Sequence, residues 1–133
     1  MSENLDLVRS IYADWERGDY STVEWAHAEI EFAWADGPAP SSRTGLTAMA
    51  EGWDEWLAAW DDFRSEAEEY REIDNERVLV LGRNTGRGKT SGLDLRQRPT
   101  KQASLFGVRN GKVTRLVLYW DRDRALTDLG LKD

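Results

Sequence analysis

Residues 108–126, VRNGKVTRLVLYWDRDRAL, hold the pattern that decides the fold. Their dipeptide Asn110-Gly111 is the strongest short signal for a tight β-hairpin turn. Residues 112–120 alternate between apolar and polar side chains and predict the strand after the turn, while residues 91–109 predict the strand before it. The stretch from Asp121 to Leu129 predicts a short helix that closes this unit.

A second hairpin is predicted upstream, where residues 65–73 and 76–83 flank the turn dipeptide Asp74-Asn75. Residues 29–34 also alternate, with Ile30, Phe32 and Trp34 on one side, and predict a further strand. Residues 35–45 hold two of the three prolines together with glycines and serines, so this segment is predicted to be a loop.

Three helices are predicted before the hairpins. Apolar residues at spacings of three and four predict a helix from Ser2 to about Arg17. Residues 21–24 read as a capping box that opens a short second helix through Ala26. Residues 46–62 predict the third helix, with one face formed by Met49, Trp53, Trp56 and Trp60. The predicted class is therefore α+β, with the helices folded over one face of a curved antiparallel sheet.

Composition limits the kinds of protein to consider. The 133 residues predict one domain over 1–133, and the chain has no cysteine and a single histidine, His27. Thiol chemistry and a multi-histidine metal site are therefore excluded, and no metal is expected. No apolar stretch is long enough to cross a bilayer and no leader pattern is visible, so we expect a cytoplasmic protein without membrane association.

The net charge of −7 is distributed unevenly along the sequence. Residues 1–76 carry 20 acidic and 5 basic side chains, whereas residues 77–133 carry 5 acidic and 13 basic ones. A basic half can indicate nucleic-acid binding. Here the basic residues are spread along predicted strands and do not interleave with aromatic ones, so we predict that the protein does not bind nucleic acid.

Four segments taken together resemble the SnoaL-like branch of the nuclear transport factor 2-like superfamily. They are LVRSIYADWERGDYSTV (7–23), HAEIEF (27–32), RTGLTAM (43–49) and the opening stretch 108–126. The resemblance implies a cone-shaped sheet that encloses a pocket against the helices, and often a dimer. Many members carry a histidine where this chain has Ser104, two residues before Phe106. No counterpart of the family's hydrolase triad is found, although Asp94 and Arg96 lie on a predicted strand.

With that fold in mind, aromatic side chains are predicted to line an apolar pocket for a small hydrophobic molecule. The predicted ligand-binding residues are Trp15, Trp34, Asp36, Met49, Trp53, Trp56, Trp60, Ser104 and Phe106. Plain core packing is the alternative for each ring, because aromatic residues fill most protein cores.

Asp121, Tyr12 and Tyr119 are the predicted catalytic residues. Asp121 follows Tyr119 by two positions, so both side chains should leave the same face of the sheet, which we expect to be the pocket face. Apolar walls would then disfavour the charged form of the Asp121 carboxyl group, so that it could take and return a proton. A tyrosine hydroxyl would donate a hydrogen bond to the substrate oxygen. Capping of the closing helix is the alternative role for Asp121.

Two functions follow from this arrangement. The first is a cofactor-independent cyclase, isomerase or hydratase acting on a cyclic or polyketide-like substrate, and the second is a non-catalytic ligand-binding or assembly module. If Val117 and Tyr119 face the pocket, then Leu116, Leu118 and Trp120 form an apolar row on the outer face. Such a row predicts a homodimer through that face.

Overall fold

Three helices and six strands make up the part of the chain that the computed structural model describes, which is residues 3–36, 40–89 and 100–131. The helices are α1 (Glu3–Glu16), α2 (Leu46–Ala58) and α3 (Arg122–Asp128). The strands are β1 (Ala26–Trp34), β2 (Ser41–Thr44), β3 (Trp60–Asp74), β4 (Arg77–Gly88), β5 (Thr100–Arg109) and β6 (Lys112–Tyr119). The predicted α+β class is confirmed.

The strands form one curved, open sheet in the order β2-β1-β6-β5-β4-β3. All neighbours are antiparallel except β1 and β6, which run parallel, so the sheet is mixed and not wholly antiparallel as predicted. Strand β2 lies inside the predicted loop, where it pairs with the outer edge of β1. Residues 91–99, predicted to begin the strand before the Asn110-Gly111 turn, lie outside the described residues.

Both predicted hairpins are present. Strands β5 and β6 meet at the pair Arg109 and Lys112, and the two residues between them have φ angles of 54° at Asn110 and 75° at Gly111. Positive φ at both central positions is the geometry that matches the twist of the flanking strands. At the other hairpin, a carboxylate oxygen of Asp74 accepts the backbone N–H of Glu76 at 2.9 Å.

The two faces of the sheet are covered by different helices. Helices α1 and α2 bury the inner face, which includes Ile30, Val80 and Phe106. Helix α3 covers part of the outer face, where Ala125 and Leu126 belong to the same apolar cluster as strand residues. Arg122 anchors α3 by donating to the carbonyl oxygen of Gly82 at 2.6 Å and by pairing with Glu68.

The second predicted helix does not form. Residues 21–24 lie in turn or irregular structure, and β1 already begins at Ala26. Side chains satisfy the backbone groups that a helix would have used: Asp19 accepts the N–H of Ser21 at 3.0 Å, and the Trp25 indole donates to the carbonyl of Thr22 at 2.8 Å. Such local bonds compete with helix formation.

The third predicted helix ends early. Helix α2 stops at Ala58, and Trp60 is the first residue of β3, paired with Gly88. Trp60 is therefore not on the helix face with Trp53 and Trp56, although its ring still lies 5.5 Å from that of Trp56. No helix of the described residues is long and apolar enough to cross a membrane.

The backbone of β3 lies close against Gly82 of β4. A Cβ atom placed on Gly82 would lie 2.2 Å from the carbonyl oxygen of Glu66 and 2.8 Å from Nε2 of Gln102. The pairing of the two strands shifts register between Ala67 and Glu69, next to this contact. Glycine at position 82 is therefore required by space, because the neighbouring backbone occupies the place of a side chain.

Candidate functional site

A closed ring of three hydrogen bonds on the inner face of the sheet joins Tyr12 of α1 to Gln102 and Ser104 of β5. Nε2 of Gln102 donates to the Tyr12 hydroxyl at 3.2 Å, and the Ser104 hydroxyl donates to Oε1 of Gln102 at 3.3 Å. The Tyr12 and Ser104 oxygens are 2.8 Å apart. Because the Ser104 hydrogen points to Gln102, Tyr12 is the donor of this third bond.

Tyr12 is a hydrogen-bond donor at neutral pH and not a base. Its side chain is fully buried, and this burial raises the pKa of the hydroxyl well above its usual value of 10. The hydrogen bonds with Ser104 and Gln102 offset only part of the effect. Desolvation penalises the charged phenolate, so the hydroxyl keeps its proton.

A second polar group lies between β3 and β4. The Ser65 hydroxyl donates to Oδ1 of Asn84 at 2.9 Å, and the backbone N–H of Ser65 donates to the Tyr20 hydroxyl at 3.1 Å. Burial raises the pKa of Tyr20 to about 12, so this hydroxyl also stays protonated at neutral pH. The inner face therefore carries neutral hydroxyl and amide groups among apolar walls.

Four indole rings pack together in the core of the same inner face, and we call Trp34, Trp56, Trp60 and Trp120 the tryptophan cluster. Trp56 is central, with ring centroids 4.3 Å from Trp34, 5.5 Å from Trp60 and 5.6 Å from Trp120. Trp120 is only half-buried, whereas the other three rings are buried. The buried Nε1 of Trp56 has no hydrogen-bond partner among the described residues.

Asp36 fixes the backbone beside the tryptophan cluster. One carboxylate oxygen accepts the backbone N–H of Trp120 at 2.6 Å, and the other accepts that of Asp121 at 3.2 Å. The two bonds join the end of β1 to the end of β6. Of the carboxylates predicted to belong to the site, Asp36 is the one in contact with the cluster's own backbone.

The predicted meeting of Tyr12, Tyr119 and Asp121 in one pocket is wrong. Leu118 pairs with Ser104 on one side and with Trp34 on the other, and all three side chains lie on the inner face. Tyr119 therefore points to the outer face, where it packs in the cluster covered by α3. The alternation of side chains along β6 was predicted correctly, but the side chains expected on the inner face lie on the outer face and the reverse.

The same exchange removes the surface predicted for dimer formation. Leu116 and Leu118 are buried under the helices of the inner face, and Trp120 packs against the same core. Val117 and Tyr119, which were expected inside, lie on the outer face. The row Leu116, Leu118 and Trp120 is therefore not an outer apolar patch.

Asp121 occupies the N-cap position of α3. Its side chain is exposed, and Oδ1 accepts the backbone N–H of Asp123 at 3.0 Å. This is the capping role weighed as the alternative for Asp121.

Replacing Asp121 with alanine is expected to lower the free energy of unfolding by about 0.5–2 kcal/mol, because α3 loses its cap. Asparagine at the same position should leave stability nearly unchanged, since its side-chain oxygen caps equally well. Urea unfolding measures both values, with Asp128→Ala as a control at the other end of α3. Equal stability of the alanine variant and the wild type would contradict the capping role.

The remaining predicted site residues fall into the core or outside the site. Trp53 and Trp15 pack against each other with centroids 5.2 Å apart, and Phe106 and Met49 are fully buried. His27 is exposed on β1, where Nδ1 accepts the N–H of Glu29. Asp94 and Arg96 lie outside the described residues.

Sequence reasoning missed Gln102 and Asn84, which are both buried. The signal for Gln102 was present, because it lies two residues before Ser104 on the same face of a strand. For Asn84 no comparable signal exists, since the flanking glycines obscure the alternation. Among the described residues, no three histidine, aspartate or glutamate side chains are grouped to hold a metal ion.

Known structures share this arrangement of helices and sheet. An NTF2-like protein of unknown function from Burkholderia pseudomallei is similar with a TM-score of 0.77 and 18% identity, over 96% of this chain and 97% of that chain. TerC, crystallised with polyporic acid, gives a TM-score of 0.75 and 20% identity over 96% and 98%. A proposed polyketide cyclase from Sinorhizobium meliloti gives 0.66 and 20% over 85% and 93%.

At these identities the likeness shows the fold alone. No curated protein sequence matches the chain significantly. The SnoaL-like domain, in contrast, matches residues 8–116, which are most of the chain and include most of α1, all of α2 and nearly all of the sheet. The chain therefore belongs to the family of SnoaL-like domains.

Proposed function

We propose that this protein binds a small hydrophobic molecule, cyclic or polyketide-like, on the inner face of its sheet. The observation that supports this most is the buried ring of Tyr12, Ser104 and Gln102 on the same face of the sheet as the tryptophan cluster. A few convergent polar groups in an apolar, aromatic surrounding are the usual composition of a small-molecule site.

The spacing of the strands supports a single ligand that touches both parts. Ser104, Leu118 and Trp34 occupy one row across β5, β6 and β1. Adjacent strands lie about 4.8 Å apart, so the backbones of Ser104 and Trp34 are about 10 Å apart. A molecule of two or three fused rings has this length.

Binding is favoured over turnover by the kind of polar groups present. The buried polar residues of the described chain are Ser65, Asn84, Gln102 and Ser104, and no carboxylate or histidine is among them. Neutral hydroxyl and amide groups orient a ligand through hydrogen bonds but do not remove a proton at neutral pH. Stacking and hydrogen bonds of this kind require no metal or organic cofactor.

Gln102→Leu tests this proposal. The wild-type protein should bind at least one member of a panel of one- to three-ring cyclic ketones that includes 1-tetralone, as followed by NMR titration. The variant should bind that ketone about tenfold more weakly, because one hydrogen bond is lost. Lys101→Leu, the same change on the exposed side of β5, should keep wild-type affinity. Equal affinities for all three proteins would refute the placement of the site.

Acid–base turnover as a cyclase, isomerase or hydratase is the second candidate, and the position of Asp36 beside the tryptophan cluster favours it. An enzyme of this class should accelerate exchange of the α-protons of a bound cyclic ketone in D₂O. Asp36→Asn should then reduce the exchange rate by about two orders of magnitude or more. Asp121→Asn should leave it unchanged, and an absence of exchange with wild-type protein would eliminate this candidate.

Assembly and other partners stay predictions. We retain the homodimer, on a surface other than the buried row of Leu116 and Leu118. Nucleic-acid binding remains unexpected, because the basic side chains are distributed among acidic partners such as Arg83 with Glu66 and Arg109 with Glu76.

A further inference from the structure

We propose that the indole N–H of Trp56 recognises a carbonyl oxygen of the ligand, an inference that rests on the proposed function. Trp56 is 8% exposed, and its Nε1 atom is buried without a partner among the described residues. An indole nitrogen only donates, so the group that completes it must be an acceptor. Buried donors without a partner are rare in native proteins and call for an explanation.

Two other buried polar aromatic groups show the usual pairing. The Trp25 indole donates to the carbonyl oxygen of Thr22, and the Tyr20 hydroxyl bonds both Ser65 and Phe63. Trp56 differs, although it is equally buried. Its aromatic neighbours are the rings of Trp34, Trp60, Phe63 and Trp120, whose faces present no acceptor oxygen.

The buried polar side chains of the described residues are all uncharged hydroxyl and amide groups: Ser65, Asn84, Gln102 and Ser104. A ligand with a ring carbonyl oxygen therefore complements the Trp56 indole and these surroundings better than a hydrocarbon or a cation.

Trp120 marks the side from which a ligand approaches Trp56. It is the least buried ring of the tryptophan cluster, and it lies 5.6 Å from Trp56 and 5.8 Å from Trp60. Indole faces stack on flat rings, so the favoured ligand is planar and cyclic. Trp56 thus acts as a specificity-determining residue that separates ring ketones from hydrocarbons of the same shape.

The test compares 1-tetralone with tetralin, which has the same two-ring skeleton without the carbonyl oxygen. Trp56→Phe should weaken the binding of 1-tetralone about tenfold more than it weakens the binding of tetralin, because only the ketone loses a hydrogen bond. Trp60→Phe, the matched control from the same cluster, should not discriminate between the two compounds. The indole N–H signal that is present in the ¹⁵N spectrum of wild type and missing from that of Trp56→Phe is assigned to Trp56. In wild type this signal should move downfield when 1-tetralone is added and stay in place when tetralin is added.

The outcomes separate the role of the Trp56 N–H from ligand binding itself. If both compounds bind wild type and Trp56→Phe weakens them equally or not at all, the role of the Trp56 N–H is overturned while ligand binding stands. If neither compound binds wild type, the proposed function fails together with this inference. Benzothienylalanine at position 56 replaces only the N–H by sulfur, so it provides the same comparison if Trp56→Phe does not fold.

Discussion

Trp15→Ala is expected to destabilise the protein by about 3–5 kcal/mol, a large share of the stability of a domain of this size. The Trp15 side chain is 1% exposed and contacts five aromatic rings, those of Tyr12, Tyr20, Trp25, Trp53 and Phe106. Alanine would leave a cavity at the centre of the inner core, where α1, α2 and β5 meet. The rings of Tyr12, Trp53 and Phe106 are held by two helices and a strand and cannot collapse into the space.

Chemical denaturation followed by far-ultraviolet circular dichroism measures this loss. Trp120→Ala provides the matched control, because the same side chain is removed from a half-buried position at the rim. The control should lose clearly less stability than Trp15→Ala. Equal losses would mean that the centre of the core lies elsewhere than in the rings around Trp15.

Gly82→Ala is expected to have the second largest effect, a loss of about 3 kcal/mol at the upper end for overpacking. The new Cβ would lie 2.2 Å from the Glu66 carbonyl oxygen, which belongs to the backbone of the adjacent strand and cannot turn aside. Strand β3 would have to move away from β4. The added methyl group would also displace Gln102, so affinity for a cyclic ketone should fall in the same variant.

Gly107→Ala is the control for this experiment. It makes the same change on the neighbouring strand β5, where the nearest atom to the new Cβ is the Arg115 Cβ at 3.3 Å. Its loss should stay below about 1 kcal/mol, because that contact needs a shift of only a few tenths of an ångström. Thermal unfolding of both variants gives the comparison, and a Gly82→Ala protein as stable as Gly107→Ala would contradict the close approach of β3.

The hairpins and the inward side of β1 were predictable from sequence because their signals are local. Asn110-Gly111 requires two residues with positive φ, and few other dipeptides accept this. Ile30, Phe32 and Trp34 alternate with less buried residues, so any sheet with one buried face places them together. These features depend on neighbours within a few positions.

The side of β6 that faces the helices was not predictable in this way. Both of its faces are apolar, with Leu116 and Leu118 on one and Val117 and Tyr119 on the other. Alternation gives the period but not which face is inside. That choice depends on α3, which folds back over Val117 and Tyr119 and so assigns them to the outer cluster.

The same limitation applies to segment ends. The sequence around Trp60 continues the helical spacing, yet pairing with Gly88 draws it into β3. Residues 41–44 have no strand signal of their own and become β2 only because the edge of β1 is available. Tertiary pairing decided both outcomes, against the local preference.

The parallel pairing of β1 with β6 governs how this chain acquires its structure. Trp34 is paired with Leu118, so β1, which comes first among the described strands, has its long partner in β6, which comes last among them. Until β6 has been synthesised, β1 has only the four-residue β2 beside it. The β3–β4 hairpin can form early, but joining the two ends of the sheet must wait, and contacts between such distant residues make folding slow. We therefore expect the inner face of β1, which includes Trp34, to stay exposed in the nascent chain until β6 has been made.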